Sequence, residues 1–196
     1  MRIKDTAKED NIKQKAIEMI VKEGLQGFGV NKLAKAAGVS PATIYIYFKD
    51  KEHLISTLCL EVGKEMLDQS LTDFNPEMSF EKGLEIQWKN RLAYFLKHPI
   101  DMEFLEIMRY TIFYEQVTFM MKRDFGAIMN EFKDNAQQNG QLIKLPFEVY
   151  WALAFSPLYQ LVKFHTQGQS YVNNAFALTD QVMKQALSLV LKALKP

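Results

Sequence analysis

Cysteine is almost absent from this 196-residue chain: Cys59 stands alone. No internal disulfide can therefore staple the fold, and cohesion must come from packing. Histidine is also sparse, with only His53, His98 and His165, which are scattered and form no ligand spacing with Cys59 or with each other. That spacing matches no zinc site and no thiol–imidazole nucleophile. Glycine and proline are few, 9 and 6, and no phosphate-cradling glycine loop, Ser-centred elbow or paired-carboxylate motif occurs. The chain is thus expected to have no catalytic residues, no metal and no cofactor, and not to be an enzyme. Long hydrophobic runs are missing too. The most apolar segment, Trp151 to Val162, is short and interrupted by Pro157, so no membrane span is expected. No charged leader with an apolar run and a cleavage site opens the chain, which predicts a cytoplasmic protein. Charge of one sign is also lacking: 24 basic against 23 acidic residues leave a net +1. Any electrostatic affinity for nucleic acid must therefore be local. Residues 1–56 carry a mild bias, with ten lysines and arginines, Arg2 and Lys4 among them, against seven acids.

What is present is hydrophobic content, 48% of the chain, at helical period almost throughout. No segment sustains strand alternation, so an all-α fold of about nine helices is expected. Ile12, Ala16, Met19 and Ile20 share one stripe of a first helix that Gly24 should end. A short second helix carries Leu33, Ala34 and Ala37 inward and stops at Gly38. Ser40 then offers an N-cap with Pro41 at the first helical position, and Asp50 caps a fourth helix reaching about Leu71. "TDFNPEM", Thr72 to Met78, breaks the pattern and divides residues 1–71 from 72–196. Further helices are expected at Phe80–Leu96, Pro99–Tyr114, Gln116–Gln138, Phe147–Gln167 and Asn174–Leu194.

Two short helices joined by "AGVS" have the form of a helix-turn-helix, whose second helix enters the major groove of DNA. Ile44 and Phe48, four apart, should face inward. Ala42, Thr43, Ile46 and Tyr47 occupy the other face, with Tyr45 at the margin. A threonine hydroxyl can reach a base edge or phosphate, a tyrosine hydroxyl a phosphate, and Ile46 a thymine methyl. Lys49 and Lys51 flank the helix end as phosphate neutralisers, and Lys32 and Ser40 complete the candidate contact set.

The run "KLAKAAGVSPATIYIYFKDKEHLI", Lys32 to Ile55, resembles the helix-turn-helix signature of the TetR family of bacterial transcriptional regulators. Leu33, Ala34, Ala37, Gly38, Val39, Ser40, Thr43, Tyr45, Phe48, Lys51 and Leu54 all fall in register. The resemblance covers about sixty residues in detail and implies an N-terminal DNA-binding domain followed by a ligand-binding, dimerising one. It places Thr43, Tyr45, Ile46 and Tyr47 at recognition positions and Lys51 at a phosphate contact. Two departures stand out: Gly29 replaces the usual hydroxyl N-cap of the second helix, and Ala42 stands where glycine is frequent.

From Phe80 onward, aromatic and methionine residues suggest a pocket for a small hydrophobic effector, aromatic or otherwise apolar, with cationic ligands included. Trp88, Phe104, Met108, Tyr110, Phe125, Trp151 and Phe155 are its candidate lining. Stripes with small residues on the last two helices, including Ala154, Leu158, Leu161, Ala186, Val190 and Ala193, suggest a homodimer through a four-helix bundle. Together these readings predict a repressor released by its effector from a palindromic operator on double-stranded DNA. The alternative is a DNA-bound structural or partner-recruiting protein without an effector, which a closed, tightly packed C-terminal core would favour.

Overall fold

Local capping chemistry sets the helix boundaries in the computed structural model, which describes residues 5–196. The Asp5 carboxylate accepts from the Lys8 N–H at 3.3 Å and opens α1, Thr6–Gly27. Gly24 interrupts that helix with φ 73° and ψ 168°, a conformation a side chain would strain. Gly38, left-handed at φ 67°, closes α2, Val30–Ala37. Ser40 accepts from the Thr43 N–H at 3.2 Å ahead of α3, Pro41–Tyr47. Asp50 accepts from the His53 N–H at 2.7 Å and starts α4, Lys51–Ser70. The remaining helices are α5 (Phe80–Lys97), α6 (Asp101–Met108), α7 (Glu115–Met120), α8 (Gly126–Gln138), α9 (Phe147–Gln167) and α10 (Asp180–Leu194). A π-helical segment, Met121–Phe125, joins α7 to α8 without a break. Counted so, nine helical rods and no strand make up the described residues, an all-α fold. No helix among them is long and apolar enough to cross a membrane. Arg2 and Lys4 lie outside the described residues.

Three expected segments differ. Pro99–Tyr114 is α6 followed by a 3-10 turn, Ile112–Tyr114, because Thr111 turns extended (φ −113°, ψ 160°). Its hydroxyl donates back to the Met108 carbonyl at 2.7 Å, the local bond by which threonine competes with a helix. The last helix starts at Asp180 rather than near Asn174. Thr179 is the N-cap, accepting from the Val182 N–H at 3.3 Å, while the Phe176 N–H is held by the Gly168 carbonyl and the Leu178 N–H by His165 Nδ1. The first helix resumes beyond Gly24 and ends at Gly27.

Packing divides the chain into two compact units: the described residues up to Glu65 with His98–Met120, and Met66–Lys97 with Met121–Pro196. In the first, α1 packs on α2 and α6, and α2 on α3, around buried Ile12, Ile20, Leu33, Ile44, Phe48 and Leu54. In the second, α5 packs against α8, α9 and α10, around Phe80, Trp88, Phe132, Tyr150 and Phe155. Gly83 on α5 is required there. A Cβ at that position would stand 2.4 Å from Phe132 Cε2. Phe132 cannot swing aside, being buried between Phe74 and Phe80 at ring distances of 5.0 and 5.8 Å. Gly83→Ala is therefore expected to lower stability by about 1–3 kcal/mol despite alanine's better helix propensity. Thermal unfolding of the variant checks this; an unchanged or raised midpoint would contradict it.

Candidate nucleic-acid interface and buried arginine core

Helix α3 is short, so its orientation depends on what holds it. Ile44 and Phe48 are 1% and 2% exposed and fix one face into the first unit. Two residues further along a helix lies 200° away, so Ile46 points opposite Ile44 and is 50% exposed, with Tyr45 at 52%. Ala42 is exposed as well, and the Thr43 hydroxyl lies 2.9 Å from that of Ser40.

Tyr47 departs from expectation. It is half-buried, and its hydroxyl donates to the Asp5 backbone carbonyl at 3.2 Å. Positions 45 and 47 flank the Ile44–Phe48 face symmetrically on a helical wheel, and the start of α1 lies on the Tyr47 side. The residue at the margin is the open one. The lysines differ as well. Lys49 is exposed. Lys32 pairs with Glu23 at 3.1 Å. Lys51 donates to the Phe28 carbonyl at 2.8 Å with its ammonium 5.4 Å from that residue's ring centre, so it tethers α4 to the end of α1. Cys59 is buried, and burial pushes its thiol up to about 12, leaving it without thiolate reactivity.

The seven candidate lining residues are divided between the two units. Phe104 and Met108 are fully buried in the first unit, on α6. Tyr110, in the same unit, is 90% exposed; it lies past the end of α6, where the expected helix has stopped. In the second unit, Trp88 is sealed in the core with its indole N–H on the Ala154 carbonyl at 2.7 Å. Phe125, Trp151 and Phe155 do come together, and what they surround is a residue the sequence reading did not single out.

Arg91, on α5, is 1% exposed. Its guanidinium carbon lies 4.7 Å from the Phe155 ring centre, 5.4 Å from Phe125 and 5.5 Å from Trp151. Nη2 donates to Gln87 Oε1 at 2.9 Å, and the Gln87 amide N–H in turn donates to the Ser70 carbonyl at 2.8 Å. Nε and Nη1 have no partner among the described residues, nor has the buried Tyr150 hydroxyl. Burial pushes the Tyr150 hydroxyl up against the opposing pull of the Arg91 charge, so it stays a neutral donor. A sequence signal existed: Leu84, Gln87, Trp88 and Arg91 follow the spacing of one buried stripe, so the arginine sits where a core residue belongs. A surface hollow of about 640 Å³ in the same unit is lined by Ser79, Glu81, Lys82, Gln141 and Lys195 among others, and by none of the seven candidates.

The candidate dimer residues also separate. Ala154, Leu158 and Val190 are buried in the chain's own core; Leu161 and Ala186 are half-buried and Ala193 exposed. Period 3.6 puts Val149, Leu153, Ser156 and Gln160 on one outward, uncharged stripe of α9, and Val182, Ala186, Leu189 and Ala193 on one of α10. Val149, Leu153 and Leu189 are 45%, 45% and 59% exposed.

Residues 12–58 match the family described as bacterial regulatory proteins, tetR family. Over 79 residues the chain is 34% identical to an uncharacterized HTH-type transcriptional regulator of Haemophilus influenzae, a match covering 40% of this chain and 42% of that protein. It is 32% identical over 71 residues to the fatty acid metabolism regulator protein of Bacillus subtilis, covering 36% and 37%. The matched stretch thus spans well under half the length of these curated relatives. A solved structure extends the likeness to nearly the whole chain. The crystal structure of a TetR family transcription regulator from Marinobacter aquaeolei superposes with a TM-score of 0.83 at 26% identity, covering 99% of this chain and 98% of that one.

Proposed function

We propose that this chain, which matches the tetR family of bacterial regulatory proteins over residues 12–58 and a TetR family crystal structure over nearly its whole length, is a non-enzymatic member of that family: a homodimeric, DNA-binding transcriptional repressor released from a palindromic operator by a small effector with an apolar body. Residues 1–71 form the DNA-binding part and residues 72–196 the effector and dimer part. The observation that carries this reading is the exposed face of α3: Ala42, Tyr45 and Ile46 stand open to solvent on a helix anchored by Ile44 and Phe48 and capped by Ser40. A seven-residue helix exposing two large apolar side chains beside Lys49 suits base-edge contact flanked by phosphate contact. The uncharged outward stripes of α9 and α10 support the dimer, which would set two copies of α3 about 34–36 Å apart on one DNA face. Effector binding would favour a state in which that spacing no longer fits.

The closed packing of Trp88, Phe104, Met108 and Phe155 favours a second reading, a DNA-bound scaffold with no effector. Titrating the full-length protein with genomic DNA fragments at several salt concentrations tests the common part. Affinity should fall linearly on a log–log plot, with a slope of about −0.9 per phosphate contacted. Absent or salt-independent binding, or a monomer by sedimentation at micromolar concentration, would refute the proposal. Retention of DNA in the presence of every ligand that binds would select the scaffold.

A further inference from the structure

We infer that Arg91, with Tyr150, is the receptor for the anionic end of the effector: the ligand is an amphipathic anion, a carboxylate or phosphate monoester on an apolar body, seated against Phe125, Trp151 and Phe155. The inference rests on the effector reading above and names the effector's class.

Its basis is an imbalance in a core that is otherwise satisfied. A guanidinium keeps its charge in a protein, and burying it without a counter-charge is among the more destabilising arrangements a core can hold. Arg91 is 1% exposed, and its one hydrogen-bond partner among the described residues is the neutral Gln87 side chain. The three rings attract the charge but leave the in-plane N–H groups of Nε and Nη1 without acceptors. Tyr150 adds a third donor in the same condition. The group is also held in place, because Gln87 is itself anchored on the Ser70 carbonyl at 2.8 Å. A positioned guanidinium edge and a phenol hydroxyl, all donors, complement an oxyanion, for which the paired geometry of arginine is well suited. The same charge argues against a cationic effector, since the aromatic cage that would receive it already encloses the protein's own cation. The apolar body follows from the surroundings: Phe125 and Phe155 are buried and Trp151 partly so.

Calorimetry and thermal shift on the full-length dimer, without DNA, test this with decanoate, decyl phosphate and 2-naphthoate as probes, and decanol and decylammonium as the neutral and cationic controls. Wild type should bind at least one anion and raise its Tm, while decanol binds more weakly and decylammonium not at all. Arg91→Met should weaken anion binding roughly ten- to hundred-fold, Tyr150→Phe less so, and Arg91→Lys should keep part of it. Unliganded Arg91→Met should melt above wild type, because an uncompensated charge has been replaced by an apolar side chain of similar length. The two anion types separate a carboxylate ligand from a phosphate one. Equal binding of decanol, anion binding unaffected by Arg91→Met and Tyr150→Phe, failure of all three anions, or a lower melting point for unliganded Arg91→Met would each overturn the inference. Because no DNA is present, failure here leaves the DNA-binding proposal standing, and failure to bind DNA leaves this site standing.

Discussion

Phe48→Ala is expected to destabilise the N-terminal unit by about 3–5 kcal/mol, the loss typical of truncating a fully buried phenylalanine. Phe48 is 2% exposed and closes α3, its N–H returning to the Ile44 carbonyl at 2.9 Å. Its ring lies 6.4 Å from that of Tyr47 and 6.2 Å from that of His53. Removing it opens a cavity where α3 meets α4, and a seven-residue helix has too few internal hydrogen bonds to persist without tertiary support. Domains of this size have only about 5–15 kcal/mol of stability in all. The variant should therefore show a markedly lower urea midpoint by circular dichroism, and any loss of DNA affinity should track its unfolded fraction. Tyr47→Ala should fall between the extremes, because a half-buried ring and the bond to the Asp5 carbonyl are lost together. A Phe48→Ala midpoint indistinguishable from wild type would show that α3 is held by something other than this packing.

The helix-turn-helix segment was legible because its signals are local. Gly38, Ser40-Pro41 and Asp50 act within a few residues of where they sit, and each forms the cap its type suggests. Ile44 and Phe48 face inward as their four-residue spacing demands. Tyr47 is half-buried against the start of α1, which a helical wheel does not show because it cannot distinguish two flanks that differ only in whether another segment passes beside them. The later helices depart from expectation where side chains bond the backbone: the Thr111 hydroxyl donates back to the Met108 carbonyl, while Thr179 and His165 accept from N–H groups ahead of them, at Val182 and, thirteen residues on, at Leu178. The candidate pocket was the least legible part. Aromatic residues at helical spacing read alike whether they fill a core or surround a group, and only the fold shows that three of them enclose Arg91 while Tyr110 stands in solvent. An arginine on a buried stripe is the kind of local inconsistency that marks a functional site, and it was visible in the run from Leu84 to Arg91.

Ile46→Asp is expected to remove DNA binding while leaving the fold intact, the converse of Phe48→Ala two residues away. Ile46 is half-exposed and lies opposite Ile44, so a polar residue there disturbs no core contact, and stability should change by no more than about 0.5 kcal/mol. On DNA the substitution acts twice over. It withdraws an apolar group able to touch a thymine methyl, and it sets a carboxylate among phosphates and base-edge acceptors. A disrupted base contact of this kind is worth about 1–3 kcal/mol. A symmetric dimer presents position 46 in both half-sites, doubling the loss to about 2–6 kcal/mol, or roughly thirty- to twenty-thousand-fold. Sequence-independent affinity should survive better than operator affinity, since the exposed Lys49 remains available to the phosphate backbone. The measurement is fluorescence anisotropy on an operator fragment beside a scrambled duplex of equal length, with urea midpoints for both proteins. Retained operator affinity at an unchanged midpoint would mean that the open face of α3 does not read DNA. A loss confined to within about tenfold would mean that only one half-site contributes, which would count against the two-fold arrangement rather than against the helix.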